Sequence, residues 1–112
     1  MMKSIFLCAL VAVAVPFVAS AETWKNVPAS DSMCYEKVKA DPDAHSTKCA
    51  LACARSGYGI IAADGSFLKF DEAGNARFAR LLKDTKNKDH LRVTVDGDRA
   101  GDSIKVKSLS LN

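Results

Sequence analysis

The sequence predicts a mainly β protein with two helices, built as a small five-stranded Greek-key barrel of the OB type. Five segments read as short strands because their apolar residues are bounded by Gly, Pro and Asp. A segment with helical spacing of apolar residues lies before the last two strands, where such a barrel carries a helix that closes one end. A small open α+β sheet is the alternative for the same order of elements.

The strands are separated by recognisable turn signals. Pro28 ends the first strand or places it at a sheet edge, because proline has no N–H for a strand ladder. Asp64 and Gly65 form a tight hairpin turn, and the acidic, glycine-containing stretch 96–102 forms the turn of the last hairpin. In chain order, the predicted strands are residues 22–27, 58–62, 66–70, 91–95 and 103–111.

The last strand requires an irregularity. Ile104 and Val106 share one parity along the strand, whereas Leu109 and Leu111 share the other. Burying both pairs needs a one-residue bulge near residues 107–108, or a strand that passes from one face to the other.

The helix before the last two strands is predicted at residues 72–83. Asp71 or Asn75 can accept hydrogen bonds from its first turn as the N-cap. Phe78, Leu81 and Leu82 form an apolar stripe at spacings of three and four residues, which faces a core.

A cysteine-bearing helix is predicted after the first strand, at residues 44–56. Asp41 is its expected N-cap, Pro42 suits its first turn, and Gly57 can end it. A single helical turn is also expected upstream, around residues 35–38.

Residues 1–21 have the pattern of a signal peptide. Lys3 precedes an apolar run at 5–18, and Ala19-Ser20-Ala21 has the small residues of a cleavage site. The run is shorter than the roughly 20 residues that span a bilayer, so no stable membrane anchor is expected after cleavage. Residues 22–112 then form one exported domain, periplasmic or secreted.

Composition excludes some classes of function. Removing residues 1–21 takes Lys3 away and lowers the formal net charge from +3 to +2, which argues against nucleic acid as a partner. The two histidines are far apart, and no Ser-His-Asp or Cys-His arrangement can be read from the chain. We therefore predict that the protein is not an enzyme and that its partner is an unidentified ligand or protein.

The chemically distinctive stretch contains Cys34, Cys49 and Cys53, the cysteines that remain after cleavage. Their odd number means that at least one thiol is free, metal-bound or intermolecular. His45, Cys49 and Cys53 are spaced i, i+4, i+8, which places them on one face of the predicted helix. Cys34 lies in a loop that can fold over that face.

Three interpretations of these residues remain open. In the first, Cys34 forms a disulfide with Cys49 or Cys53 and staples the loop to the helix. In the second, Cys34, His45, Cys49 and Cys53 supply ligands for Zn or Cu, although a straight helix allows one ion to bind only an adjacent pair. Cys34 is then the third ligand, and Asp31 or a partner's group completes the shell. In the third, the thiols form a redox switch.

The cysteine pattern also carries a resemblance. The signal peptide, the Asp31-Ser32-Met33-Cys34 segment and the Cys49-x3-Cys53 spacing resemble a group of small exported bacterial proteins of uncharacterised function, as does the closing pattern at residues 93–106. The resemblance implies an OB-fold domain over the mature chain and supplies no activity. The sequence departs from it at Tyr35, where Gly is usual, and at residues 89–91, where Gly-Lys-x-Val is usual.

The predicted function is an exported OB-like binding or structural module with a cysteine staple. A metal-binding or redox protein that uses Cys34, His45, Cys49 and Cys53 is the alternative. Sugar binding by aromatic residues on the barrel is a further possibility, although Trp24, Tyr58, Phe67 and Phe70 fit a core better.

Overall fold

A computed structural model describes residues 20–112, and most of the predicted signal peptide lies outside this part of the chain. The described residues form a closed barrel with strand order β1-β2-β3-β5-β4. The predicted five-stranded barrel of the OB type is therefore confirmed, and closure excludes the open sheet. The strands are β1 (Ser20–Asp31), β2 (Tyr58–Ile61), β3 (Phe67–Phe70), β4 (Arg92–Ala100) and β5 (Ser103–Leu111), and the helices are α1 (Tyr35–Val38), α2 (Thr47–Ala52) and α3 (Glu72–Asp84).

β1 is longer than predicted and runs through Pro28. Its register against β4 shifts between Trp24 and Val27, and Asn26 has a φ of 50°. Pro28 is the last β1 residue paired with β4, and the next residue, Ala29, begins the pairing with β2. The prediction that Pro28 ends the strand or lies at an edge is wrong, because the proline marks the point where β1 changes neighbours.

β5 contains the predicted bulge. Asp96 pairs with Ser108 and Gly97 pairs with Val106, so Lys107 is the extra residue. Ile104, before the bulge, is fully buried. Beyond the bulge, Leu109 and Leu111 also pack against the core, although their parity along the strand is opposite to that of Ile104 and Val106.

β4 also extends beyond its prediction. It continues through most of the stretch expected to form the turn, to Ala100, and the chain reverses at Gly101 and Asp102. Gly101 takes the left-handed φ of 62° that this reversal needs. The acidic residues and the glycine in 96–100 are typical of a turn, but in the structure they belong to a strand, in which Asp96 and Ala100 are exposed.

The helix predicted before the last two strands is α3, and it packs against β2, β3 and β5. The Asp71 side chain caps it by accepting a hydrogen bond from the Gly74 N–H at 3.0 Å. Phe78 and Leu82 are buried against the barrel core. A Cβ atom added to Gly74 would lie 2.5 Å from Val106 Cγ2, so glycine permits the close contact between α3 and β5.

The aromatic residues serve mainly the core. Tyr58 and Phe70 are buried, and the Phe78 ring contacts both in edge-on geometry. Phe67 is half-buried beneath Tyr35, with their ring centroids 5.0 Å apart. Among residues 20–112, no helix is both long and apolar enough to cross a bilayer.

Candidate thiol site

All three cysteines after residue 20 lie in residues 32–57, which we call the insertion because they connect two directly paired strands, β1 and β2. The insertion contains α1, α2 and two short 3-10 turns, Pro42–Ala44 and Ala54–Ser56. It buries few apolar side chains of its own, chiefly Val38 and Ala50. The Tyr58 hydroxyl anchors it to the barrel by donating to the Ala50 carbonyl at 2.9 Å.

The continuous helix predicted over residues 44–56 is wrong. α2 is preceded by extended backbone at His45 and Ser46, and the Ser46 hydroxyl caps it by accepting from the Cys49 N–H at 3.0 Å. Asp41 caps only the short 3-10 turn, without a side-chain hydrogen bond. Because His45 precedes the helix and Cys53 follows it, the proposed common face of His45, Cys49 and Cys53 does not exist.

The break in the helix leaves two thiols adjacent. Cys34, at the start of α1, and Cys53, at the end of α2, have their Sγ atoms 3.8 Å apart. Both residues are half-buried, whereas Cys49 is exposed on α2. Of the two pairings that the sequence left open for Cys34, the structure brings together the one with Cys53.

A buried acid–imidazole pair lies beside the thiols. Asp31, the last residue of β1, has no exposed surface, and His45 is only 8% exposed. The His45 Nε2 lies 2.8 Å from Asp31 Oδ1, in a hydrogen bond to the carboxylate. The other oxygen, Oδ2, accepts the Cys34 backbone N–H at 2.9 Å. Asp31 therefore ties the start of α1 and the extended segment at His45 to the barrel.

These surroundings keep the Cys34 thiol protonated. Burial, the Asp31 carboxylate and the second thiol at Cys53 together raise the pKa of Cys34 to about 12. A thiolate at this position would lose hydration and face a carboxylate at short range. Cys34 is thus a weak nucleophile in the reduced, metal-free protein.

Three donor groups converge at this point. A carboxylate oxygen of Asp31 and the sulfurs of Cys34 and Cys53 all lie within 4.8 Å of one another. Two members of the predicted metal set, His45 and Cys49, lie outside this group. Asp31, considered in the sequence only as a completing ligand, is instead central.

The burial of Asp31 and His45 was not visible in the sequence. Asp31 lies beyond residue 27, where the first strand is predicted to end, whereas in the structure it is the last residue of β1 in the barrel wall. Asp31, Glu36, Asp41 and Asp43 all lie within 14 positions before His45, so the sequence did not single out Asp31 as the partner of the histidine.

No protein-family model, curated protein or solved structure matches the chain. Its function is therefore inferred from the barrel and from the geometry of Asp31, His45, Cys34 and Cys53.

Proposed function

We propose that this protein is an exported, non-enzymatic module of the OB type, binding or structural, whose insertion is stapled to itself by a Cys34–Cys53 disulfide. The observation that carries the proposal is the 3.8 Å separation of the two sulfur atoms. A disulfide requires a shortening to about 2.05 Å, which small rotations of two half-buried side chains can provide. Exported small domains commonly gain stability from such cross-links.

The chemistry of Cys34 favours a structural disulfide over a redox-active one. Thiol–disulfide exchange needs an attacking thiolate and a leaving thiol of low pKa. A pKa of about 12 makes Cys34 poor in both roles. Once formed, its disulfide resists reduction, as expected for a permanent staple.

Two further observations support a non-enzymatic role. The histidine of the insertion is buried and directs Nε2 to Asp31 rather than to a sulfur, so it does not form a Cys–His pair through that atom. His90 is exposed and contacts Asp89 in the loop before β4. Export, and membership of the exported proteins that the sequence resembles, remain predictions based on the signal-peptide pattern and the cysteine spacing.

Peptide mapping without reductant tests the staple on protein recovered from its own export compartment. Free thiols are alkylated before trypsin digestion, and a cross-link between residues 26–37 and 49–55 is expected. Trypsin leaves Cys49 and Cys53 in one peptide, since cleavage follows Lys48 and Arg55. Fragmentation of the linked peptide must therefore place the bond on Cys53 and the alkyl group on Cys49.

Three alkylated cysteines, or a bond to Cys49, would contradict the staple. The Cys49→Ser variant is the matched control and should retain the full cross-link. N-terminal sequencing of the same sample tests export, and Glu22 is the expected first residue.

The second candidate function is thiol-based metal binding, with Zn or Cu as the ion. The observation that favours it is the convergence of Asp31 with the two sulfurs, because a disulfide alone needs no carboxylate beside it. Such a protein would hold or carry the ion when its thiols are reduced.

A further inference from the structure

We infer that Asp31, Cys34 and Cys53 form a three-ligand site for one Zn²⁺ when the thiols are reduced, and that the zinc site and the disulfide are alternative states of the same two sulfurs. This inference rests on the second candidate function and defines its ligands. It replaces the set predicted from the sequence, since His45 and Cys49 are not ligands in it.

The spacing of the donors fits a tetrahedral ion. Two thiolates bound to zinc at about 2.3 Å in tetrahedral geometry lie about 3.8 Å apart. The Cys34 and Cys53 sulfurs are separated by 3.8 Å. A carboxylate oxygen in the same shell lies about 3.6 Å from each sulfur. Since all three donors are already within 4.8 Å of one another, shifts of about 1 Å complete the arrangement.

Charge supplies the second argument. The Asp31 carboxylate is buried beside the two sulfurs. A divalent ion can replace the thiol protons and attract all three donors.

His45 and the Cys34 N–H hold the carboxylate in place. They contact different oxygens of Asp31, at 2.8 Å and 2.9 Å, and fix the plane of the group. Each oxygen keeps a further lone pair for an ion. His45 is thus a positioning residue, and hydrogen-bonded partners of this kind typically change metal affinity 10–100-fold when removed.

The donor set favours zinc over copper. Cu(I) prefers thiolate and thioether ligands, whereas zinc also accepts a carboxylate oxygen. The nearby thioether, Met33, is 72% exposed and does not point into a buried site. The fourth position is left to water or to a group from another molecule, because both cysteines are partly open to solvent.

Oxidation of the two thiolates releases the ion. The oxidant is the disulfide of another molecule, which takes two electrons from the thiolates and two protons from water and becomes a dithiol. Cys34 and Cys53 form an S–S bond, lose both negative charges and release Zn²⁺. The ion therefore protects the pair from oxidation, and the disulfide prevents zinc binding.

The test uses the processed protein, fully reduced and free of metal, titrated with Zn²⁺ against a chromophoric chelator. One ion per chain is expected, and the oxidised protein should bind none. Under limiting maleimide, Zn²⁺ should protect Cys53, whereas Cys49 should remain reactive. This protection requires no substitution, so it does not depend on whether a variant folds.

Variants then separate the ligands from their neighbours. Zinc affinity should fall at least 100-fold in each of the ligand variants, Cys34→Ser, Cys53→Ser and Asp31→Asn. The control Cys49→Ser should bind zinc with unchanged affinity. His45→Gln should lower the affinity 10–100-fold and retain the stoichiometry of one ion per chain. Circular dichroism checks that each variant folds. Protection of Cys49, equal binding by Cys53→Ser, or binding of Cu(I) but not Zn²⁺ would overturn the assignment. Absence of zinc binding leaves the staple untouched, and absence of the disulfide in exported protein leaves the zinc site untouched.

Discussion

Reduction of the proposed Cys34–Cys53 disulfide should destabilise the protein measurably. This disulfide would join residues that are 19 positions apart. In the chain-entropy model, closing a loop of this size lowers the entropy of the unfolded chain by the equivalent of about 3 kcal/mol at 25 °C. For a domain of this length, each kcal/mol shifts the melting temperature by about 4–8 °C, so reduction should lower it by about 12–24 °C.

The measurement is a pair of thermal melts, with and without a phosphine reductant, in the presence of a metal chelator. Cys49→Ser is the working background, because it leaves a single possible pair and prevents disulfide exchange. Cys34→Ser in that background is the matched control and should melt at one temperature in both conditions. The reasoning is refuted if reductant leaves the melting temperature of Cys49→Ser unchanged, or if it shifts the control by the same amount.

Three further predictions follow from contacts elsewhere. Arg92 donates two hydrogen bonds to Asp43 and holds the pKa of that carboxyl below its usual value. This pair stabilises the fold above the unfolded-state pKa, and its contribution is lost as pH falls through the folded-state pKa. Asp43→Asn should therefore flatten the acid side of the urea-midpoint profile, and an unchanged profile would contradict the assignment. Gly74→Ala should destabilise by about 1–3 kcal/mol in urea despite the better helix propensity of alanine, because the new methyl meets Val106; stabilisation would contradict this packing. In reduced, metal-free protein at pH 8, Cys34 should be alkylated at least 100-fold more slowly than the exposed thiol of α2, since its pKa is about 12; equal rates would show that its thiolate is not suppressed.

The barrel could be predicted because its signals are local. The parity change in β5 requires a bulge whatever the rest of the chain does, and the structure places it at Lys107. The cap at Asp71 and the apolar stripe through Phe78 likewise depend on neighbours a few residues away. Such patterns survive because packing and local preference favour the same structure.

The candidate site could be predicted only in part because its contacts are long-range. Pairing of Cys34 with Cys49 or Cys53 was one of three interpretations of the sequence, which could not choose between the two partners. That choice depends on the break in the helix before α2. The Ser46 cap and the Asp31–His45 hydrogen bond stabilise extended backbone there, although the residues on both sides favour a helix. Tertiary contacts overrode local propensity there.

The insertion explains why a cross-link matters at this place in the molecule. β1 and β2 are direct neighbours, so a short turn would join them, and the 26-residue insertion adds chain entropy without a core of its own. Its apolar contacts are limited mainly to Val38, Ala50, Leu51 and the Tyr35–Phe67 ring pair. Polar contacts also hold it, such as those of Thr47 to the Asn87 and Lys88 carbonyls. Segments of this kind open locally at lower free energy than the barrel that carries them.

The proposed disulfide or zinc ion at Cys34 and Cys53 would join the first turn of the insertion to the end of its last helix. Either state would therefore restrict local opening more than a bond within the barrel could. Hydrogen exchange gives the distinguishing readout: reduction and chelation should speed exchange in residues 34–57 and leave the N–H groups of β4 and β5 near their original rates. Uniform acceleration across the barrel would show instead that the insertion and the barrel unfold as one unit.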